Sequence, residues 1–349
     1  MREFWKWIVV ILMVSTCVIP VNAADLTAPE VIGEAASLLP RETGSFGADL
    51  WYVIRGAASK ALPNASQCCK LCLSLLGICM LLSMIRFHEG QSAYVVNLCA
   101  VVCISCLLLQ STRTMILLAS ETIAQMSDYM NLLLPVLTAA LAAQGGLTSS
   151  AALYSATAVL DSLFGLLMER VLIPMCYIYL ALAMVFAMTQ ETLLQKLRDM
   201  CKSILVWMMK ILLYAFSGYL SITGVISGTV DQSALKAAKV TISSAVPVVG
   251  SIMADASETI LISAGVAKNA IGVYGCLAVV GIVVIPFLRI GIQYGLMKLT
   301  SAVCSVFADK PVSCLLEDVS GLMGILLAMT GVVSMLLLIS IVCFLRGMG

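Results

Sequence analysis

From residue 68 to the C-terminus, apolar residues run on for close to twenty positions at a time, with only short polar interruptions. Wound as helix, a run of about 20 residues crosses the ~30 Å hydrocarbon core of a bilayer. The pattern predicts spans at about 68–85, 93–110, 129–144, 149–168, 171–188, 204–227, 270–292 and 323–345. The polar turn RFHEG at 86–90 separates the first two, and Gly145-Gly146 and Glu169-Arg170 break later ones. Residues 111–128 carry Arg113, Glu121 and Asp128 among apolar neighbours and read as an interfacial helix. The stretch TQETLLQKLRDMCKS at 189–203 reads as a polar helix, and 229–269 as a mixed, small-residue-rich segment. An amphipathic connector joins the last two spans. The expected fold is all-α: a polytopic membrane protein of about seven to eight transmembrane helices with Pro/Gly-interrupted segments.

The first residues predict a leader. Arg2 and Lys6 are basic, residues 7–19 are apolar, and Val21-Asn22-Ala23 is a small-residue cleavage site, so 1–23 read as a signal peptide. A retained first anchor with Trp5 and Trp7 at the interface is the alternative. Residues 24–67 have ordinary polarity and read as an outward-facing amphipathic segment, on which Leu50, Ile54 and Ala57 or Ala58 share a helical face. Residues 68–349 form the multi-spanning membrane domain. Arg86, Lys196, Arg198 and Lys202 then fall inside, as the positive-inside rule asks, whereas Lys236, Lys239 and Lys268 fall outside.

Composition sharpens this picture. The chain is 61% hydrophobic and 11% charged, against about 45–50% and about 25% in soluble domains. A net charge of +1, without a basic block, excludes a nucleic-acid partner. There are 14 cysteines, but Cys99, Cys103 and Cys106 share one face of an apolar run, the setting of packed small residues rather than ligands. With His88 the single histidine, no multi-histidine metal site can form. Nucleotide-loop, nucleophile-elbow and zinc-protease motifs are absent, so the expectation is no enzyme, no cofactor and no metal.

A few residues break the membrane pattern. Pro135, Pro174, Pro247 and Pro286 fall inside apolar stretches, where each removes a backbone donor and frees a carbonyl. Around Pro135 with Gly145 and Gly146, and around Pro247 with Gly250, Pro-Val is followed by small residues and hydroxyls. Two such interruptions point to a broken-helix pathway, or, as the simpler reading, to kinked helices packed through small residues. The pentapeptide ASETI occurs at 119–123 and 256–260, but on opposite sides of its Pro-Val, so it marks no repeat. Lys70 and Arg289 sit near span ends, where Lys and Arg can snorkel. Asp161 and Lys210 lie deeper, as an interhelical pair or as lining of a watery cavity. Asp255 and Glu258 share a helical face, which suits a solvated face or a cation site.

YMNLLLPVLTAALAAQGG at 129–146, VPVVGSIMADASETIL at 246–261 and IPFLRI at 285–290 together resemble the stage III sporulation protein AE family, and the resemblance extends over nearly the whole chain. It implies a polytopic protein in the mother-cell membrane that surrounds the forespore. Implied partners are the other stage III A-operon proteins and the forespore stage II protein Q, joined in a channel-like complex needed for late forespore development. A homo-oligomer is compatible with it. No catalytic residues carry over from the family. A stand-alone secondary transporter and a non-conducting scaffold for ring-forming partners stay open as alternatives.

Overall fold

The computed structural model describes residues 46–85, 92–143, 147–229 and 250–347. The expected signal peptide, the RFHEG turn, Gly145-Gly146 and residues 230–249 lie outside the described residues. The helices are α1 (Phe46–Ile85), α2 (Ser92–Ala143), α3 (Leu147–Leu167), α4 (Ile173–Thr189), α5 (Thr192–Thr229), α6 (Gly250–Phe307) and α7 (Lys310–Gly347). Five stretches are long and apolar enough to cross a membrane: Ala65–Ser83, Leu98–Ala140, Tyr154–Thr189, Tyr274–Phe307 and Lys310–Val342.

Several expected breaks are continuous helix. Residues 111–128 do not separate two spans but lie inside α2, which runs 52 residues. The reason is an unbroken buried stripe. Leu108, Ile116, Ile123, Met126, Met130 and Leu137 recur at helical spacing on one face, and Arg113, Glu121 and Asp128 lie on the other, exposed. Glu169-Arg170 is likewise no break. It falls in a π-turn, Met168–Leu172, where the Ile173 N–H reaches the Met168 carbonyl five residues back. Pro174 follows directly, and in a regular helix its ring would press on the Arg170 carbonyl. The wider turn makes room, so α3 and α4 form one apolar stretch.

The expected boundary at 67/68 also falls within one helix. On α1 the buried row Val53, Ala57, Ala61 continues into Cys68, Cys72, Leu75 and Cys79. Val53 and Ala57 pack with Leu277 and Ile285 of α6, and Cys68 meets Gln293 of α6 further on, so the two helices run parallel. Arg289, placed by the sequence near a span end, sits in the middle of the Tyr274–Phe307 stretch, with its Nε buried and unpartnered among the described residues.

α6 and α7 form an antiparallel hairpin through Ala308-Asp309. Asp309 accepts from the Ser313 N–H at 2.9 Å, and Pro311 sits in the first turn, where its missing donor costs nothing. Glycines let the two helices close up. A methyl on Gly331 would lie 3.5 Å from Phe287, on Gly291 3.8 Å from Leu327, and on Gly324 3.1 Å from the Tyr294 ring. α7 packs against α2, α3, α4, α5 and α6, and buries residues around most of its circumference. It is the axle of the bundle.

The two glycines flanking Tyr294 give a test. Nothing lies within 4 Å of a Cβ on Gly295. Gly295→Ala is expected to stabilise by about 0.5–1 kcal/mol through helix propensity. Gly324→Ala must displace Tyr294 and is expected to destabilise by about 1 kcal/mol. Thermal unfolding in detergent reads both, and equal shifts would contradict this packing.

Candidate functional site

The polar stretch after α4 folds back onto the bundle. Gln190 takes a left-handed backbone (φ 55°, ψ 24°), and its N–H caps the helix on the Phe186 carbonyl. α5 then returns against α4. Its inner face carries Arg198, Cys201, Leu205, Met209 and Leu212, so a guanidinium heads an otherwise apolar row.

Arg198 meets a carboxylate from the axle. Its Nη1 lies 2.9 Å from Asp318 Oδ2 and 2.9 Å from Cys314 Sγ, both on α7. Nε and Nη2 donate to Asp199 Oδ1 at 3.0 and 2.7 Å. The guanidinium also stands over the Phe186 ring, 4.5 Å from its centroid. Burial opposes the charge on Arg198, but the hydrogen bond to Asp199 and the charge of Asp318 outweigh it and hold the pKa above the usual guanidinium value. Asp318 itself is only 4% exposed. Its second oxygen accepts from the Tyr179 hydroxyl of α4 at 2.9 Å and faces Lys202 Nζ at 3.6 Å. Three helices therefore converge on one carboxylate.

Smaller polar links tie the other seams. Tyr219 of α5 bridges Thr157 of α3 at 2.8 Å and Ser340 of α7 at 2.9 Å. Gln293 of α6 donates to Ser111 of α2 at 2.7 Å and accepts from the Cys68 thiol of α1. The Tyr129 hydroxyl of α2 reaches the Gly275 carbonyl of α6 at 3.5 Å. In an apolar surround each such bond exacts geometry, because an unmade one leaves a buried polar atom bare.

Asp161 and Lys210, both singled out from sequence, are not brought together. Asp161 is buried and accepts from Ser127 of α2 at 3.4 Å. Lys210 is exposed, in an open cleft of about 680 Å³ shared with Lys202 and Trp207, and makes no pair with Asp161. Pro135 sits on the exposed face of α2. Gly250 is the first residue of α6, and Asp255 and Glu258 follow within its helical backbone. Gly145, Gly146 and Pro247 lie outside the described residues. Among the described residues no group of three His, Cys, Asp or Glu side chains is set to hold a metal. The sequence reading passed over Asp318 and Tyr179, and used Arg198 only for orientation. The available signal was the acidic pair Glu317-Asp318 at the head of the apolar run SCLLEDVSGLMGILL, which asks for a counter-charge.

The node predicts a strong asymmetry between breaking and replacing it. Asp318→Asn removes the buried carboxylate that ties Arg198 to α7, leaves only the more exposed Asp199 facing the guanidinium, and is expected to cost up to about 3–5 kcal/mol. The double change Arg198→Met with Asp318→Leu removes both charges and is expected to recover most of that loss. Thermal unfolding of the purified variants checks it, and a double variant no better than the single one would refute the assignment.

Comparison with known proteins adds the remaining findings. The family model for stage III sporulation protein AE matches residues 39–347. A protein of Bacillus subtilis (strain 168) bearing that same description is 24% identical over 265 residues, which cover 75% of this chain and 66% of the relative. The matched region thus spans just under two thirds of that relative's length. No solved structure matches the chain.

Proposed function

Because the chain belongs to the stage III sporulation protein AE family, we propose that it is a membrane subunit of the channel or secretion complex that joins mother cell and forespore. The family match over residues 39–347 carries this reading. The proposal places the protein in the mother-cell membrane around the forespore. Its partners there are the other stage III A-operon proteins and the stage II protein Q assembly, and it performs no catalysis of its own. A cleaved leader ahead of the membrane bundle belongs to the same proposal. The five apolar stretches and the pinned bundle support a rigid, membrane-embedded part. The segments around Pro135 and Pro247 are its pathway elements.

The scaffold alternative has its own support, since among the described residues Asp161 is buried against Ser127 while Lys210 lines an open cleft elsewhere, so the two do not share a pathway. A stand-alone transporter has less, because Asp161 is already engaged by Ser127.

Deleting the gene in its spore-forming host is expected to arrest development after engulfment and silence late forespore reporters, with rescue by the intact chain. Normal spore yield would remove the proposal. Bulky replacements at Gly145-Gly146 or Gly250 are expected to abolish rescue with the protein still present in the membrane. Full rescue by them, with loss of rescue on changes at 189–203, would favour the scaffold.

A further inference from the structure

The outer face of α2 carries a polar stripe, interrupted by the exposed Leu117, where a lipid-facing helix is apolar throughout. Gln110, Arg113, Thr114, Glu121, Gln125 and Asp128 lie on one helical face at three-, four- and seven-residue spacings, all exposed. The opposite face is the buried stripe of Ile116, Ile123 and Met126, so the orientation of the helix is fixed. Among the described residues, Arg113, Glu121 and Asp128 form no ion pair with one another or with any other helix. From Gln110 to Asn131, also exposed, the stripe is about 32 Å long at 1.5 Å per residue, the thickness of the hydrocarbon core.

The neighbours put this stripe at membrane depth. Ser111 is bonded to Gln293 and Tyr129 to Gly275, so 111–129 lie abreast of 275–293, inside the apolar Tyr274–Phe307 stretch of α6. A sliding argument agrees. Any window of about 20 residues drawn from Leu98–Ala140 contains Arg113 or Glu121. Hydrocarbon does not cover such a face, because ionised side chains inside a bilayer turn toward protein or water.

We propose that the α2 face lines a water-filled lumen closed by further copies of this chain. The inference rests on the pathway reading above and names the element that does the lining. Copies in one membrane share an orientation, so their α2 helices meet at equal heights. Arg113 then faces Arg113, Glu121 faces Glu121, and Asp128 faces Asp128. In a dry seam such like-charge contacts are strongly unfavourable. Across water they form stacked rings, one basic and two acidic, of the kind that sort ions by charge. Pro135 extends the same exposed face by a further turn or two. The apolar exposed residues Leu109 and Val136 stand at the margins of the face, where neighbouring copies or lipid would meet it.

The test uses the full-length chain in lipid vesicles, with charged methanethiosulfonate reagents on both sides and modification read by peptide mass spectrometry. Thr114→Cys and Gln125→Cys are expected to react, and Leu109→Cys and Val136→Cys to stay unmodified. The cationic trimethylammonium reagent is expected to outpace the anionic sulfonate at Gln125→Cys by about fivefold, with the preference reversed at Thr114→Cys beside Arg113. Native Cys106, exposed one turn before Gln110 on the same face, is expected to react in the unmodified chain, which covers the case of a variant that misfolds. Native mass spectrometry in nanodiscs is expected to show three or more copies.

Silence at every stripe position would overturn the lumen in favour of a dry or lipid-covered face. Equal reaction at the stripe and at Leu109→Cys would overturn it by placing α2 outside the bilayer. A monomer in nanodiscs would overturn it as well. Sporulation is scored separately. If Glu121→Gln with Asp128→Gln still restores spore yield to a deletion strain while the labelling fails, the lumen falls and the sporulation role stands.

Discussion

A carboxylate buried in an apolar helix must be answered, and the bundle is arranged around that demand at Asp318. Bringing an ion out of water costs several kcal/mol even after relaxation, and only close, well-directed partners repay it. Asp318 receives a guanidinium and an ammonium from α5 and a phenol from α4. Because α7 contacts five other helices, the position of this single carboxylate sets the height at which α4 and α5 dock. Arg198 is usable here because a planar guanidinium can serve Asp318, Asp199, Cys314 and the Phe186 ring at once. A lysine could not reproduce that fork.

The smaller polar links extend the same logic. Apolar side chains packed in lipid have no hydrophobic drive toward one another, so helix association depends on close packing and on bonds that specify height. Tyr219 sets α3, α5 and α7 relative to each other, and Gln293 sets α1, α2 and α6. Between these points the glycines of the α6–α7 hairpin let backbones approach without choosing a height. Small residues supply contact and polar residues supply register.

The helical class and the apolar runs were legible in the sequence, because a run of about 20 apolar residues has few other uses. The breaks were less legible. Charges at 113, 121 and 128 read as an interruption when counted along the chain, yet they share one face of α2 and leave the buried face intact. Glu169-Arg170 looked like a loop because a π-turn has no distinct composition, and only the following Pro174 hinted at a local widening. The node was legible in halves. Arg198 and Asp318 are each conspicuous, but 120 residues separate them, and spacing along the chain carries no information on a contact that tertiary packing creates. Asp161 and Lys210 were conspicuous in the same way and do not meet. An ionisable residue in a span announces that it needs company without naming it.

The two charged features of the bundle are physically opposite. At Asp318 acids and bases converge, every oxygen is answered, and the result is a fixed joint. On α2 the charges point away from the core and are spaced by whole helical repeats, too far apart along one helix to answer each other. Charges arranged to be satisfied internally hold helices in place. Charges that one chain leaves exposed at the depth of its own apolar spans have to be satisfied by water or by another molecule. The α2 face therefore belongs to whatever the bundle encloses or touches, and the buried stripe on the opposite side of α2 is what keeps that face turned in one direction.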